Sequence, residues 1–319
     1  MIERKIESSA PESYSFEDEI DFKELCRVLW RCKWFVGGVT LLASVSAIII
    51  TLTLPKIYRA EALLSPVQSE ADAVGSLASK YGGLASLAGI SLPSAGGIDK
   101  TSLGIEKLKT RDFIFRFIKQ HDLMIPLMAA EDWDPRTKKL VIDEDIYDIE
   151  AGDWVRTVEF PYQPEPSMQE AYKKFMEILS VAKNKDSDLV TVSIEHYSPQ
   201  HAKQWVEWLV EDIDAFMREK DILDAERSID YLNNQIAQTE VAEVRAMLSE
   251  LVQGKTETLM LAKVRDQYLF EVIDPAIVPE KHSWPPILII IVVSTLMGFM
   301  MSVVVVLFRE VSAKRRRET

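Results

Sequence analysis

Residues 286–308 read PILIIIVVSTLMGFMMSVVVVLF, without one charged side chain. A hydrocarbon core about 30 Å thick needs about 20 apolar residues at 1.5 Å each, so this stretch is long enough to cross a bilayer with some tilt. A soluble helix of that length keeps a charged face toward water. This one has none, and it reads as a transmembrane helix over 286–308. Arg309 follows, then Lys314, Arg315, Arg316 and Arg317. Basic residues gather on the cytoplasmic flank of a span. Residues 309–319 therefore read as a basic cytoplasmic tail, and the rest of the chain reaches the membrane from the other side.

A second uncharged run, WFVGGVTLLASVSAIIITLTL, occupies residues 34–54. It is longer than the 7–15 residues of a signal-peptide core, and the polar segment before it is long and acidic, so it reads as an uncleaved anchor. Arg27, Arg31 and Lys33 precede it and Lys56 and Arg59 follow. This weaker bias agrees with the strong one at the other end. Residues 1–33 become a cytoplasmic N-terminal tail, and 55–285 lie outside the cytoplasm. Within the tail, Ile20, Leu25, Val28 and Leu29 oppose Arg27, Arg31 and Lys33. That suits a short amphipathic helix over 20–34 or an ordinary charged flank.

The chain carries a formal net charge of −13. Such a chain repels nucleic-acid phosphates and has no broad attraction for anionic lipid heads outside its basic tail. Its two cysteines, Cys26 and Cys32, both precede the first apolar run, so no disulfide framework exists beyond it. Their spacing is not CxxC.

Between the spans, residues 57–67 read as a strand stopped at Pro66. Residues 69–97 are rich in Gly, Ala, Ser and Leu, which suits short, closely packed helices and turns; no GxGxxG pattern is present. Residues 98–120 read as one helix burying Leu103, Ile105, Leu108, Phe113, Phe117 and Ile118. Residues 129–166 are acidic and lack the carboxylate spacing of a calcium loop, so they read as a solvated loop or insertion. Residues 167–179 form a helix. Residues 189–196 (LVTVSIEH) alternate strictly, with Val190, Val192, Ile194 and His196 on one face.

Ser198-Pro199-Gln200 then starts a helix, with Ser at the N-cap and Pro at N1. No Gly or Pro follows until Gly254. Apolar residues at 202, 205, 209, 213, 216, 222, 225, 229, 232 and 236 keep helical spacing. A helix from 200 to 236 would be about 55 Å long. That exceeds the core of a domain this size, so it projects and needs a partner: a returning helix from 240–267, or copies in other subunits. Ile222, Ile229, Leu232 and Ile236 are the residues expected to join copies, because they outnumber what one short returning helix covers.

Residues 268–273 read as a strand. Pro275, Pro279, Pro285 and Pro286 then make a stiff, extended lead into the second span. The strands at 57–67 and 268–273 return to the same membrane patch and should neighbour each other in one sheet. In the second span Ser294, Gly298 and Ser302 recur every four residues. Such small residues let helices approach closely in lipid, and the facing partner is expected at Thr40, Ala43, Ser44 and Ala47.

No chemistry-bearing site is legible. Gly254-Lys255-Thr256 lacks the Gly five residues earlier that a phosphate loop needs. His121, His196, His201 and His282 show no ligand spacing with Cys, Glu or Asp. No catalytic, cofactor-binding or metal residue is assigned.

Two terminal spans, a long helical insert and the segment VIDPAIVPEKHSWPP (272–286) together resemble the Wzz chain-length determinants, polysaccharide co-polymerases of bacterial inner membranes. Pro55-Lys56-x-Tyr58-x-Ala60 and Gly83-Leu-Ala-Ser-Leu-Ala-Gly-Ile-Ser are similar to members of that family. The proline block departs from the family's usual Ser-Pro-Lys, reading Ser283-Trp284-Pro285-Pro286. The second span has Ser302, not a second glycine, four after Gly298. The resemblance implies an α+β base (55–198, completed by 268–285), a helical hairpin at 199–267 and a ring-like homo-oligomer. It also implies control of lipopolysaccharide O-antigen length with a membrane-embedded polymerase acting on lipid-linked polysaccharide. In a bacterium with two membranes the space holding 55–285 is the periplasm. Related chains with a cytoplasmic tyrosine kinase extend far beyond the second span. This one ends 11 residues after Phe308, so no kinase of its own is expected.

The leading expectation is therefore a non-enzymatic regulator of chain length. Its rival is an adaptor for capsule or exopolysaccharide export working with a separate kinase. A periplasmic hydrolase or ligand sensor would need a catalytic constellation that the sequence does not offer.

Overall fold

The computed structural model describes residues 30, 32–67 and 100–318. The tail helix considered at 20–34 lies almost wholly outside these residues, and the small-residue segment 69–97 entirely so. The chain divides into two compact units, one of Met1–Leu54 with Pro286–Thr319 and one of Pro55–Pro285.

In the first unit, α1 (Lys33–Thr53) is 21 residues long, and a last helix runs Ile287–Glu318. Both are long and apolar enough to cross a membrane. Leu41, Leu52, Leu288, Ile289, Val292 and Met301 are more than half exposed. A core helix of a soluble protein would bury such side chains. The last helix does not stop at Phe308; it continues through the basic segment to Glu318.

In the second unit the elements are β1 (Tyr58–Pro66), α2 (Lys100–Leu108), α3 (Arg111–Gln120), α4 (Met124–Met128), β2 (Ala130–Asp134), β3 (Lys139–Ile142), β4 (Tyr147–Asp148), β5 (Asp153–Trp154), α5 (Met168–Ile178), β6 (Leu179–Lys183), β7 (Val190–His196), α6 (Pro199–Gln238), α7 (Ala242–Val264) and β8 (Phe270–Asp274); the last helix of the chain is α8. The main sheet has order β6-β7-β1-β8, antiparallel throughout. β1 and β8 are neighbours, as the two returning strands must be, with Ser65 opposite Glu271. The residues just outside these two strands are tied together too. Ile57 N–H donates to Trp284 O (3.1 Å) and Ser283 N–H to Ile57 O (2.8 Å).

One core lies between this sheet and the helices. Val190, Val192 and Ile194 of β7 and Ala60, Ala62 and Leu64 of β1 face Trp205, Val206, Leu209 and Ile213 of α6 and Phe117 and Phe175 of α3 and α5. The alternation read in β7 is thus its core face. α5 opens with a reciprocal cap: Ser167 Oγ accepts from Glu170 N–H (3.3 Å), and Ser167 N–H donates to Glu170 Oε1 (2.9 Å).

Two expectations are corrected. Residues 98–120 form two helices, not one. Thr110 is extended (φ −74°, ψ 146°), and its hydroxyl bonds back to Lys107 O (2.8 Å). A Thr side chain that satisfies local backbone in this way competes with helix continuation. Of the expected buried set, Leu103 is only half-buried and Ile114 is the residue passed over. The acidic segment 129–166 is no featureless loop: it folds into two hairpins, β2–β3 and β4–β5. Its carboxylates close the turns. Asp134 Oδ1 accepts from Arg136 N–H (2.8 Å), and Asp148 Oδ1 from Glu150 and Ala151 N–H (2.8 and 2.9 Å). Gly152 takes the left-handed backbone (φ 74°) the second turn requires.

Candidate functional site

The helix pair α1/α8 meets along a narrow stripe. On α1 the stripe is Val36, Thr40, Ala43, Ser44, Ala47 and Thr51; on α8 it includes Thr295, Gly298, Ser302 and Val306. Gly298 sits where the helices come closest. A Cβ at that position would lie 2.7 Å from Ala43 Cβ and 3.5 Å from Thr40 Cα. Ser302 is fully buried and donates to Phe299 O (2.6 Å). Among the described residues one hydrogen bond joins the two helices, between Ser44 Oγ and Thr295 Oγ1 at 2.9 Å. Of the residues anticipated here, Gly298, Ser302, Ala43 and Ala47 come together in the stripe. Ser294 is half-buried, and Thr295, not read from the sequence, supplies the cross-helix hydroxyl. Spacing of small residues alone passes over it, because Thr hydroxyls are legible only once a facing hydroxyl is known.

In the second unit, α6 is 40 residues, about 60 Å at 1.5 Å per residue. Its first half, to Met217, belongs to the sheet core. Beyond it, Leu232 packs on Met247 and Leu248 of α7, with Ile236, Val244 and Leu251 beside them. The return helix therefore buries Leu232 and half-covers Ile222, Ile229 and Ile236. α7, 23 residues long, thus leaves Ile222, Ile229 and Ile236 partly exposed within one chain. The larger apolar side chains left exposed on the hairpin include Leu223, Tyr231, Met260 and Val264. Gly254-Lys255-Thr256 lies inside α7, not in a loop after a strand.

A polar lock that the sequence did not disclose holds the foot of the hairpin. Asp214 Oδ1 accepts from Tyr268 N–H (2.8 Å) and Leu269 N–H (2.7 Å), and its Oδ2 receives Arg218 Nη2 (2.8 Å). Arg218 Nη2 also donates to Asp266 O (2.6 Å). One turn on, Asp221 Oδ2 accepts from Tyr268 OH (2.6 Å) and Lys100 Nζ (2.7 Å). Burial and the Asp221 carboxylate push the Tyr268 hydroxyl well above its ordinary value, so it stays a donor. Neither Arg218 nor Asp221 stands out in the sequence. The signal that could have found the lock is the i,i+4 pair Asp214–Arg218.

At the end of β7, His196 is buried. Its Nδ1 accepts from Ser198 N–H (3.0 Å), so Nε2 carries the proton and donates to Pro126 O (2.9 Å). Burial lowers it to about 4. It is a neutral clamp between β7 and α4. Of the other histidines, His121 stacks on Trp208 and bonds Asp212 (2.9 Å). Among the described residues no group of three His, Cys, Asp or Glu is placed to hold a metal ion.

The proline lead follows β8 with no helix or strand of its own. Pro285 is buried, Pro279 half-buried, and Pro275 and Pro286 exposed.

Residues 18–121, which include α1, β1, α2 and α3, match the family model "Wzz: Chain length determinant protein". Over that stretch the chain carries a Wzz-type chain length determinant region. Residues 239–311, from α7 through β8 into α8, match a second model, "G-rich domain on putative tyrosine kinase". Each matched stretch thus contains one apolar helix and the strand next to it. Among solved structures it is similar to a full-length bacterial polysaccharide co-polymerase at 14% identity, covering 93% of this chain and 99% of that one, with TM-score 0.37. It is also similar to a fragment of WzzB, a polysaccharide co-polymerase from Salmonella Typhimurium, at 11% identity, covering 72% and 99%, with TM-score 0.28. No curated protein matches the sequence.

Proposed function

We propose that this protein is a non-catalytic regulator that sets the length of lipopolysaccharide O-antigen, as an oligomeric scaffold for a membrane polymerase elongating a lipid-linked polysaccharide. The observation that carries this reading is the match of residues 18–121 to the chain length determinant model. In the proposed arrangement α1 and α8 span the inner membrane, both termini are cytoplasmic and residues 55–285 are periplasmic. Residues 55–198 with 268–285 form the α/β base, and 199–267 form the long helical hairpin. Basic flanks at one end of each span support that topology. A cysteine placed at Ser187 should react with an impermeant thiol reagent in intact spheroplasts while Cys26 stays unlabelled; the reverse labelling overturns the topology.

Three groups of residues take roles in this scheme. Ser294, Gly298, Ser302, Ala43 and Ala47 let the spans pack closely. Pro275, Pro279, Pro285 and Pro286 stiffen the lead into the second span. Ile222, Ile229, Leu232 and Ile236 shape the hairpin through which copies assemble into a ring, with Leu223 and Tyr231 offering apolar surface outside the seam.

A second reading is favoured by the match of residues 239–311 to a domain described on tyrosine kinases: the same scaffold serving capsule or exopolysaccharide with a separate kinase. Deletion separates the two. A changed lipopolysaccharide ladder with unchanged capsule size supports the O-antigen reading; the opposite pattern supports the capsule reading.

A further inference from the structure

A groove of about 730 Å³ runs beside the apolar helix pair, lined by Trp30, Lys33, Gly37, Thr40, Leu41 and Phe299 among others. Three features give it a polarity. At one end the Lys33 ammonium lies over the Trp30 ring, 5.4 Å from its centroid. The walls are apolar: Leu41 and Phe299 are 67% and 46% exposed. Gly37, in the wall, would place a Cβ in open space, with no atom within 4 Å. Gly298 is small because Ala43 of its own chain stands against it. Among the described residues no atom demands a small residue at Gly37.

We propose that this groove holds an acyl chain of an anionic phospholipid, with its phosphate against Lys33. The site rests on the membrane reading of α1 and α8. A cation at one end and an apolar trough along the rest complement a molecule with an anionic head and a long apolar tail. Basic pockets between spans on the cytoplasmic side take such head groups. A second protein helix would fill the trough but would set the Lys33 ammonium against apolar side chains, where a charge is costly.

The test is native mass spectrometry of the full chain released from nanodiscs of mixed phosphatidylcholine and phosphatidylglycerol. The unmutated chain should retain one phosphatidylglycerol, enriched over phosphatidylcholine by about fivefold, the effect of one Lys near an anionic surface. Gly37→Leu puts a bulky side chain into the trough at a position where a Cβ meets no atom within 4 Å and should abolish retention. Lys33→Gln should remove the enrichment. Gly38→Leu adds the same bulk at the neighbouring glycine, which also faces open space and does not line the groove, and should change nothing. Equal retention in Gly37→Leu, or equal binding of the two lipids, overturns the site. Displacement of phosphatidylglycerol by an equal amount of polyprenyl phosphate overturns the phospholipid assignment. A disulfide-linked dimer through Leu41→Cys, at the expense of the lipid adduct, assigns the groove to a second copy and overturns it also. Protein that washes off membranes in alkaline carbonate overturns the membrane reading itself, and the site with it.

Discussion

Gly298→Leu is the substitution whose effect the structure fixes most closely. The first side-chain atom alone would lie 2.7 Å from Ala43 Cβ, where carbon atoms prefer about 3.5–4.0 Å. Ala43 Cβ is fixed to its backbone and cannot swing aside, so the helices must separate by about 1 Å even before the rest of the Leu side chain is placed. The Ser44–Thr295 hydrogen bond, 2.9 Å long, would then stretch beyond bonding range. Overpacking costs about 1–3 kcal/mol, and a hydrogen bond between spans adds about 0.6 kcal/mol. Together they come to about 1.6–3.6 kcal/mol, roughly a 15- to 400-fold loss in helix-pair association. Energy transfer between dyes on Cys32 and on a cysteine at Arg309, with Cys26 replaced by Ser, would follow dissociation of the pair as denaturing detergent is added. Val304→Leu, at a position 62% exposed, is the control. In cells Gly298→Leu should insert normally yet shift or broaden the polysaccharide length distribution. Equal dissociation and equal gel patterns for the two variants would refute the reasoning.

The other predictions concern the second unit. His196 has a folded pKa of about 4 against an ordinary 6.5. A depressed value means the unfolded chain binds more protons between the two, so the clamp's contribution is complete above pH 6.5 and fades as pH falls toward 4, by about 3 kcal/mol; urea unfolding of the full chain should be less pH-dependent across this window for His196→Asn. Asp214→Ala leaves the Tyr268 and Leu269 N–H groups without their acceptor and should cost about 2–5 kcal/mol, while Asp214→Asn, which keeps a carbonyl acceptor, should cost less than half of that by the same unfolding measurement. Ser167→Ala removes the α5 cap and should cost about 1 kcal/mol; no change in the unfolding midpoint would deny the cap its role.

Features governed by a strong local period were legible in the sequence. The uncharged runs gave both apolar helices, the alternation of LVTVSIEH gave the core face of β7, and the unbroken spacing after Ser198 gave α6 and its return. Pairing of β1 with β8 followed from where each must end. The stripe at Gly298 and Ser302 was legible because small residues recur every four positions. What stayed hidden depends on partners far along the chain. Thr110 breaks a helix through one hydroxyl. Asp134 and Asp148 look like solvated charge until their turns close around them. Asp214 and Asp221 do not stand out until the strand beginning near Tyr268 returns to them.

The central claim, that this protein sets the length of a polysaccharide, is tested most directly by measuring that length. Surface polysaccharide from a deletion strain, the parent and a strain complemented with the unmutated chain should be resolved by gel electrophoresis and the repeat number per band counted. The account predicts that the parent's modal cluster disappears on deletion, leaving a distribution that falls steadily with length, and returns at the same mode on complementation. An identical modal cluster in the deletion strain would contradict it.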